Sequence, residues 1–315
     1  MGKNALYSNT SGSRNTANGY FALYYNTSGS YNTANGYYAL KSNITGDYNT
    51  ANGYYALSSN ITGNYNTANG CNALNSNTTA IYNTANGYHA LYTNTTGNHN
   101  TAMGANSLFN STGERNTANG YYSLNSNTTG SYNTSLGYRS GYDNTTGTYN
   151  TFLGYNARTN NNTAKTNSTA VGNDAVITAS NQVRIGNASV TSIGGYEPWT
   201  DLSDGRFKIN VMEDIYGLDF IMALRPVSYN LDINKLNEFL GVEKESVDQK
   251  AVVEKSSVRQ SGFIAQEVDD AAKKIGWDFS GVDVPKNEGD HYGLRYAKFV
   301  VPLVKAVQDQ QKMIE

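Results

Sequence analysis

The chain has 315 residues and a formal net charge of −2 at pH 7, with 26 tyrosines and 31 glycines against 4 prolines and 15% charged residues. That length allows two or three domains with cores of their own. Abundant aromatics at near-neutral charge argue against a disordered chain, and the lack of a basic field argues against a nucleic-acid partner. The single cysteine, Cys71, cannot close an intrachain disulfide and sits where most repeat copies carry Tyr, so it reads as a tolerated small apolar side chain. No run approaches the ~18 apolar residues of a membrane span, and no charged-then-apolar leader opens the chain. Leu6 stands where a myristoylation pattern needs Ser or Thr. No phosphate loop, zinc pattern or paired-cysteine motif is present, so no cofactor is expected.

Internal repetition dominates the first two thirds. The tract Asn32-Thr33-Ala34-Asn35-Gly36-Tyr37-Tyr38-Ala39-Leu40, followed by Asn43-Ile44-Thr45-Gly46, returns with its leading glycine at Gly19, Gly36, Gly53, Gly70, Gly87, Gly104, Gly120, Gly137 and Gly154. The spacing is 17 residues with one step of 16; it then drifts to Gly172 and Gly186, the last interval being 14. So regular a period means one structural coil per repeat. A repeat this short cannot hold a helix pair, but it suits two short strands joined by Asn-Gly and Thr-Gly or Ser-Gly turns. Stacked coils predict a mainly β protein, with a β-solenoid shaft of about ten to eleven coils, roughly 50 Å long at about 4.8 Å per coil.

The residue before the leading glycine is Asn in most early copies but Met103, Leu136, Leu153, Val171 and Ile185 in others, and the residue two earlier is Thr or Val183. Positions two apart share a strand face. This face is expected to point inward, with Asn and Thr ladders giving way to an aliphatic core near the end. The aromatics after the glycine, such as Tyr37, Tyr54 and Tyr121, then project outward or between chains. Two uses remain open for them: packing between subunits or coils, and stacking on sugar rings of a host-surface glycan. The Asn-x-Thr/Ser triplets, such as Asn43-Ile44-Thr45, are glycosylation acceptors only in a secretory pathway, and the repeat alone explains their number. His89 and His99 occupy tyrosine positions without clustered partners, which argues against metal binding.

The array resembles the head repeats of trimeric autotransporter adhesins and the collar or shaft repeats of phage tail fibres. The match is closest from Ser168-Thr169-Ala170-Val171-Gly172-Asn173-Asp174-Ala175 through Val183-Arg184-Ile185-Gly186-Asn187-Ala188. In those families three chains pack as parallel left-handed rolls, so the resemblance implies a homotrimer. The chain begins inside a repeat, with Gly2 and Ala5-Leu6 in register with Gly36 and Ala39-Leu40. This suggests a longer parent, or a cap on another protein, because solenoid ends need caps.

After Gly194-Gly195 and Glu197-Pro198-Trp199 the repeats stop and charge density rises, giving an expected shaft of residues 1–196 and a small α+β domain of residues 197–315. Its predicted elements are a strand near Phe207–Met212, a helix over Ile215–Ala223 and a strand at Val227–Leu231. A charged segment at Asn234–Arg259 follows, as a surface loop or exposed helix. Then come a strand from Gly262 to Ala265, a helix over Gln266–Ile275 and a long helix over Tyr296–Ile314. The last carries Phe299, Val300, Leu303, Val304, Val307 and Ile314 at three-to-four spacing, which suits a short three-stranded coiled coil or packing on the domain's own sheet. His291 has no Ser-His-Asp spacing around it and is read as a surface residue.

Four ordered motifs span this domain. They are Ser203-Asp204-Gly205-Arg206-Phe207-Lys208; Gly217 to Ile221 with Leu224-Arg225-Pro226-Val227-Ser228-Tyr229; Gly262-Phe263-Ile264-Ala265-Gln266-Glu267-Val268; and Tyr296 with Leu303 to Gln308. Together they resemble the intramolecular chaperone and auto-processing domain of phage tail spikes and endosialidases, a domain similar to one in a membrane-bound transcription factor family of animals. The resemblance implies a domain that drives trimerisation of the fibre before it and then cuts itself off before the motif serine. Carried over, Ser203 is the nucleophile, Lys208 the general base and Leu202–Ser203 the cleaved bond. A serine hydroxyl needs a neighbouring base to attack at neutral pH, and a lysine serves once burial or nearby positive charge favours its neutral form. Arg206 either supplies such charge or pairs with Asp204, and Lys208 can come from the same chain or the next subunit.

The sequence therefore points to a phage or viral tail or surface fibre with a self-releasing chaperone. The alternative is a bacterial cell-surface adhesin that keeps its C-terminal domain as an uncleaved trimerisation cap. A glycan-degrading spike is disfavoured, because no catalytic carboxylate pair stands out in a shaft so poor in Asp and Glu.

Overall fold

In a computed structural model of the protein, the described residues are 2–160, 164–196, 199–244 and 247–315. Glu197 and Pro198, at the expected junction, lie outside them, as do two residues of the charged segment, Glu245 and Ser246. The chain divides into two compact units: Met1–Asn187 with Leu240–Ser246, and Ala188–Phe239 with Val247–Glu315.

The first unit is a β-solenoid. Its principal sheet has 11 strands, from Thr16–Asn18 to Val183–Ile185, paired in parallel. Equivalent residues stack through the repeats, Thr33 on Thr50 and Asn35 on Asn52. Two strands per coil were expected, but most coils contribute a single three-residue strand. A second parallel pair, Arg158–Thr159 with Val176–Ile177, occurs only near the end. The remaining corners are made by left-handed residues: Tyr38 at φ 58°, Leu40 at 49° and Tyr48 at 57°, with counterparts in other coils. A non-glycine residue in this region costs about 1–2 kcal/mol. Here the conformation turns each N–H along the stack, where Tyr38 donates to the Tyr20 carbonyl, Leu40 to that of Ala56 and Tyr48 to that of Ser30.

The expected inward face is outward. In Thr33–Asn35 and its counterparts the middle residue is buried and the flanking two face away from the core. Met103, Leu136, Leu153, Val183 and Ile185 are exposed. The reason is width: the coil interior takes only a methyl from the strand, because it is already filled by the columns Ala22–Ala39–Ala56 and Leu23–Leu40–Leu57 and by asparagine amides.

Those amides form two buried columns. Asn43 Nδ2 donates to Asn26 Oδ1 at 2.8 Å and to the Gly46 carbonyl at 2.9 Å, while its own Oδ1 accepts from Asn60 at 2.7 Å. In the second column Asn32 Oδ1 accepts the backbone N–H of Asn49, whose Nδ2 donates to the Gly63 carbonyl. Burial without such partners would cost about 1–3 kcal/mol per group. In the one 16-residue step Ser111 takes the amide's place, accepting from Asn127 at 3.0 Å. The first column holds the asparagines of seven Asn-x-Thr/Ser triplets, Asn26, Asn43, Asn60, Asn77, Asn94, Asn127 and Asn144, which are buried and closed to glycosylation in the folded chain, whereas Asn110 of the shortened coil is exposed.

Glycine is required where coils approach closely: Gly53 has φ +144°, and a Cβ there would lie 2.4 Å from the Gly70 carbonyl oxygen. A different substitution pair departs from the repeat. Phe152 fills the alanine position of the sheet with its ring fully buried, and Gly141 stands in the leucine column, where a Cβ would meet the Phe152 ring at 2.8 Å.

In the second unit, α1 (Leu218–Ala223) packs against α5 (Val300–Ile314), and α4 (Ala265–Lys274) adds to a core of Phe220, Val268, Ala271, Ala272, Phe279 and Phe299. A short antiparallel pair joins Val227–Tyr229 to Gln260–Gly262. The charged segment contains α2 (Ile233–Phe239) and α3 (Gln249–Ser257). The expected strand at Phe207–Met212 does not form: Gly205–Phe207 is a 3-10 turn, and the residues after it find no partner strand among the described residues. The long C-terminal helix is present, but it buries Pro302 and Ala306 rather than the apolar stripe; Val300, Leu303, Val304 and Val307 stay exposed.

Phe152 and Gly141 should therefore be coupled. Phe152→Ala alone is expected to cost about 3–5 kcal/mol by leaving a cavity, and Gly141→Leu alone to destabilise by overpacking. The double variant, which restores the repeat, should recover most of the loss in thermal unfolding; additive losses would show that the two sites do not share one space.

Candidate functional site

Ser203 and Lys208 lie on either side of the 3-10 turn Gly205–Phe207. Asp204 caps that turn: its carboxylate accepts the Arg206 backbone N–H at 2.9 Å. The same carboxylate takes the Arg206 guanidinium, with Nη2 at 2.6 Å and Nε at 2.9 Å. The Arg206 side chain, then its backbone N–H, hold the Asp204 carboxyl below its ordinary value. Of the two roles open to Arg206, the structure shows the pairing with Asp204.

The tight turn brings the flanking residues together. Lys208 Nζ donates to Ser203 Oγ at 2.8 Å, within one chain. Both side chains are exposed, and Leu202 beside them is 81% exposed. Downstream, Phe207, Ile209 and Val211 alternate with polar residues at 69%, 83% and 79% exposure. That is the pattern of a half-buried strand with nothing covering it. In a single chain Lys208 therefore donates to the serine in water.

The other motif residues hold the unit together. A Cβ on Gly217 would lie 2.5 Å from Asp309 Oδ2 and 2.8 Å from the Ala306 nitrogen, so its lack of a side chain lets α1 start against α5. Asp309 accepts the Leu218 backbone N–H and Lys305 Nζ, the latter at 2.6 Å. A Cβ on Gly262 would collide with the Tyr296 hydroxyl, which accepts the Phe263 N–H at 3.1 Å. Arg225, just beyond the end of α1, pairs with Glu267 of α4 through Nε at 3.0 Å and a second contact from Nη2. His291 lines an open groove with Asp232, Lys235, Phe239 and Asp290. Nothing in the sequence pairs Gly217 with Asp309 or Gly262 with Tyr296, which lie far apart along the chain.

In the shaft, His99 stacks on Tyr82 in a column that continues through Tyr65, Tyr48 and Tyr31, with ring centroids 4.5–5.1 Å apart. Arg14 lies over Tyr31 and Arg115 over Tyr132. A second row stacks Tyr20, Tyr37 and Tyr54. Within these rows the interior rings are covered on their faces by the neighbouring rings, and the second row is interrupted after Tyr54 by Cys71. Cys71 is a half-buried free thiol in that second row.

A repetitive β-solenoid followed by an α+β unit with a Ser-Lys contact at its start is the build of a fibre protein with a C-terminal accessory domain. Residues 203–277 match the family model described as chaperone of endosialidase, so the chain carries a domain of that family behind its solenoid. The family is one of self-cleaving chaperone domains, found on tail-fibre-like proteins. Comparisons with curated proteins and with solved structures find no match. No helix among the described residues is long and apolar enough to cross a membrane.

The Asp204 cap has a pH signature. Because its carboxyl sits below the ordinary carboxylate value of about 3.9, the cap is complete above that value and is lost as pH falls through the lowered one. Arg206→Ala should move the Asp204 titration, followed by NMR, up toward the ordinary value. An unchanged midpoint would mean the guanidinium does not hold the carboxylate in solution.

Proposed function

We propose that the protein is a subunit of a homotrimeric fibre whose C-terminal unit promotes the winding of three copies and then cuts the Leu202–Ser203 bond to release itself. The observation that carries this is the 2.8 Å contact between Lys208 Nζ and Ser203 Oγ, at the first residues of the stretch that matches a self-cleaving chaperone family.

The chemistry is acyl transfer within the backbone. Ser203 Oγ attacks the Leu202 carbonyl carbon as its proton passes to the neutral Lys208 amine. The Leu202–Ser203 C–N bond breaks, its nitrogen takes up a proton to become a new amino terminus, and Leu202 is left as an ester on Oγ. Water then opens the ester, giving the Leu202 carboxylate and restoring the hydroxyl. In the single chain the base is solvated. The uncovered segment Phe207–Met212 and the exposed stripe of α5 are the surfaces through which neighbouring copies would cover it. Cleavage would then follow assembly.

In this reading the shaft meets a host-surface receptor or glycan, and the protein belongs to a virion tail or surface fibre, as the tail-fibre association of the matched family supports. Because ring faces are covered within the tyrosine rows, recognition would run through ring edges and phenol hydroxyls rather than flat stacking on sugars. The alternative, a bacterial surface adhesin with an uncleaved cap, is favoured by one observation: Ser203 and Lys208 both stand in solvent.

A denaturing gel separates the two. The parent should yield pieces of 202 and 113 residues, 315 − 202 = 113, and Ser203→Ala and Lys208→Ala should stay full length. An uncut parent supports the adhesin cap. Light scattering of Ser203→Ala should report three copies; a monomer would remove the assembly role.

A further inference from the structure

Asn-Gly dipeptides end the shaft strands at Asn18, Asn35, Asn52, Asn69, Asn86 and Asn119, each within the same local sequence, Thr-Ala-Asn-Gly. An asparagine before glycine is open to attack on its own side chain, because a glycine nitrogen has no Cβ beside it to hinder approach. The five-membered ring that results needs the asparagine Cβ eclipsed with the glycine nitrogen about the Cα–C bond, a geometry that extended strand backbone does not give. The nitrogen is also engaged: Gly36, Gly53, Gly70, Gly87 and Gly120 donate at 2.8 Å to the carbonyls of Asn18, Asn35, Asn52, Asn69 and Met103. These restraints are shared among the copies, so reaction requires local opening. What differs between copies is the side chain.

The amides ladder from Asn18 to Asn35 at 3.0 Å, Asn35 to Asn52 at 2.7 Å and Asn52 to Asn69 at 2.8 Å. Asn35 and Asn52 are thereby held through both oxygen and nitrogen, and both are half-buried. Asn86 stands beyond the last rung, and it and Asn119 are exposed. Met103 lies between them in the stack, and Leu136 follows Asn119. A thioether accepts only weakly and an alkyl group not at all, so neither replaces an amide. The 16-residue step, from Gly104 to Gly120, falls at the same level.

We infer that Asn86 and Asn119 are sites of spontaneous self-modification, converting to aspartate and isoaspartate in the folded shaft while Asn35 and Asn52 are protected. At Asn119 the Gly120 nitrogen attacks Cγ, the Cγ–Nδ2 bond breaks, and ammonia leaves with the proton from the glycine nitrogen. Water then opens the cyclic imide at either carbonyl, so the amide and water become a carboxylic acid and ammonia. No oxidant or second protein takes part. Either product sets a negative charge between Met103 and Leu136, and isoaspartate also adds a methylene to the main chain where Asn119 must stay in register with both. Chemical ageing of the shaft is thus concentrated around its shortened coil. The inference stands independently of the fibre reading.

The test holds the full chain at mildly alkaline pH, folded or in denaturant, and maps it by mass spectrometry of tryptic peptides. Cuts at Arg14, Lys41, Arg115 and Arg139 place Asn119 as the sole Asn-Gly site of residues 116–139, while Asn52, Asn69 and Asn86 share residues 42–115 and are separated by fragmentation. In denaturant the sites should convert at similar rates, as their local sequence is the same. In the folded chain Asn86 and Asn119 should convert severalfold faster than Asn35 and Asn52. Met103→Asn, which restores the repeat residue at an exposed position, should slow both. Equal rates at these four sites, faster conversion of Asn35 or Asn52, or no conversion anywhere in the folded chain would overturn the assignment. Unchanged rates in Met103→Asn would overturn the amide ladder as the source of protection.

Discussion

Two columns of buried asparagine amides set what the shaft can be. A buried amide is hydrogen-bonded in nearly every folded protein, and here the partners are an amide or backbone N–H of the neighbouring coil and a nearby backbone carbonyl, in most coils that of a glycine. One coil therefore cannot satisfy itself; it needs a neighbour whose amide sits directly above. That requirement keeps Asn26, Asn43, Asn60 and Asn77 in line, and it explains how one coil can lose a residue if Ser111 still offers an oxygen at that level. The leucine and alanine columns add apolar burial, but the amides specify register. An aliphatic column tolerates a shift along the axis far better than a hydrogen-bonded one does.

The period, the coil count and the β-solenoid were legible in the sequence because they follow from spacing alone. The direction of the strand was not. Asparagine before the glycine and asparagine three residues before that, as in Asn35 and Asn32, look alike in sequence, yet the first faces out and the second is buried. What decides is the alanine between Thr33 and Asn35. It is the only side chain of the strand small enough for an interior already holding Leu40 and Asn32, and inferring this requires knowing that the other columns point inward. The corners were hidden for a related reason. Leu40 and Tyr48 take left-handed conformations that neither residue favours, and only the hydrogen bonds between coils hold them there. In the second unit, helices α1, α4 and α5 could be anticipated from periodicity, whereas the strand expected at Phe207–Met212 has the right alternation and no partner.

The candidate site was legible because its geometry is local. Five residues separate Ser203 from Lys208, and a single 3-10 turn capped by Asp204 closes that gap within one chain. Arg206 illustrates the limit. Its nearness to Lys208 in sequence allowed it to repel the ammonium, but a carboxylate two residues away, on the side that caps the turn, takes the guanidinium instead.

Desolvation cannot come from the turn itself. A single chain leaves Ser203, Lys208 and Leu202 in water, and the alternating apolar residues that follow, Phe207, Ile209 and Val211, are as exposed as the site they adjoin. A surface that buries this stretch would dry the amine at the same time, since the two are contiguous in the chain. In the proposed reading, geometry within one protomer and solvent exclusion by its neighbours are separate requirements. If the contact belongs to one turn and its activation to an interface between copies, as proposed, an incompletely wound fibre would be kept from cutting away the domain that is still winding it.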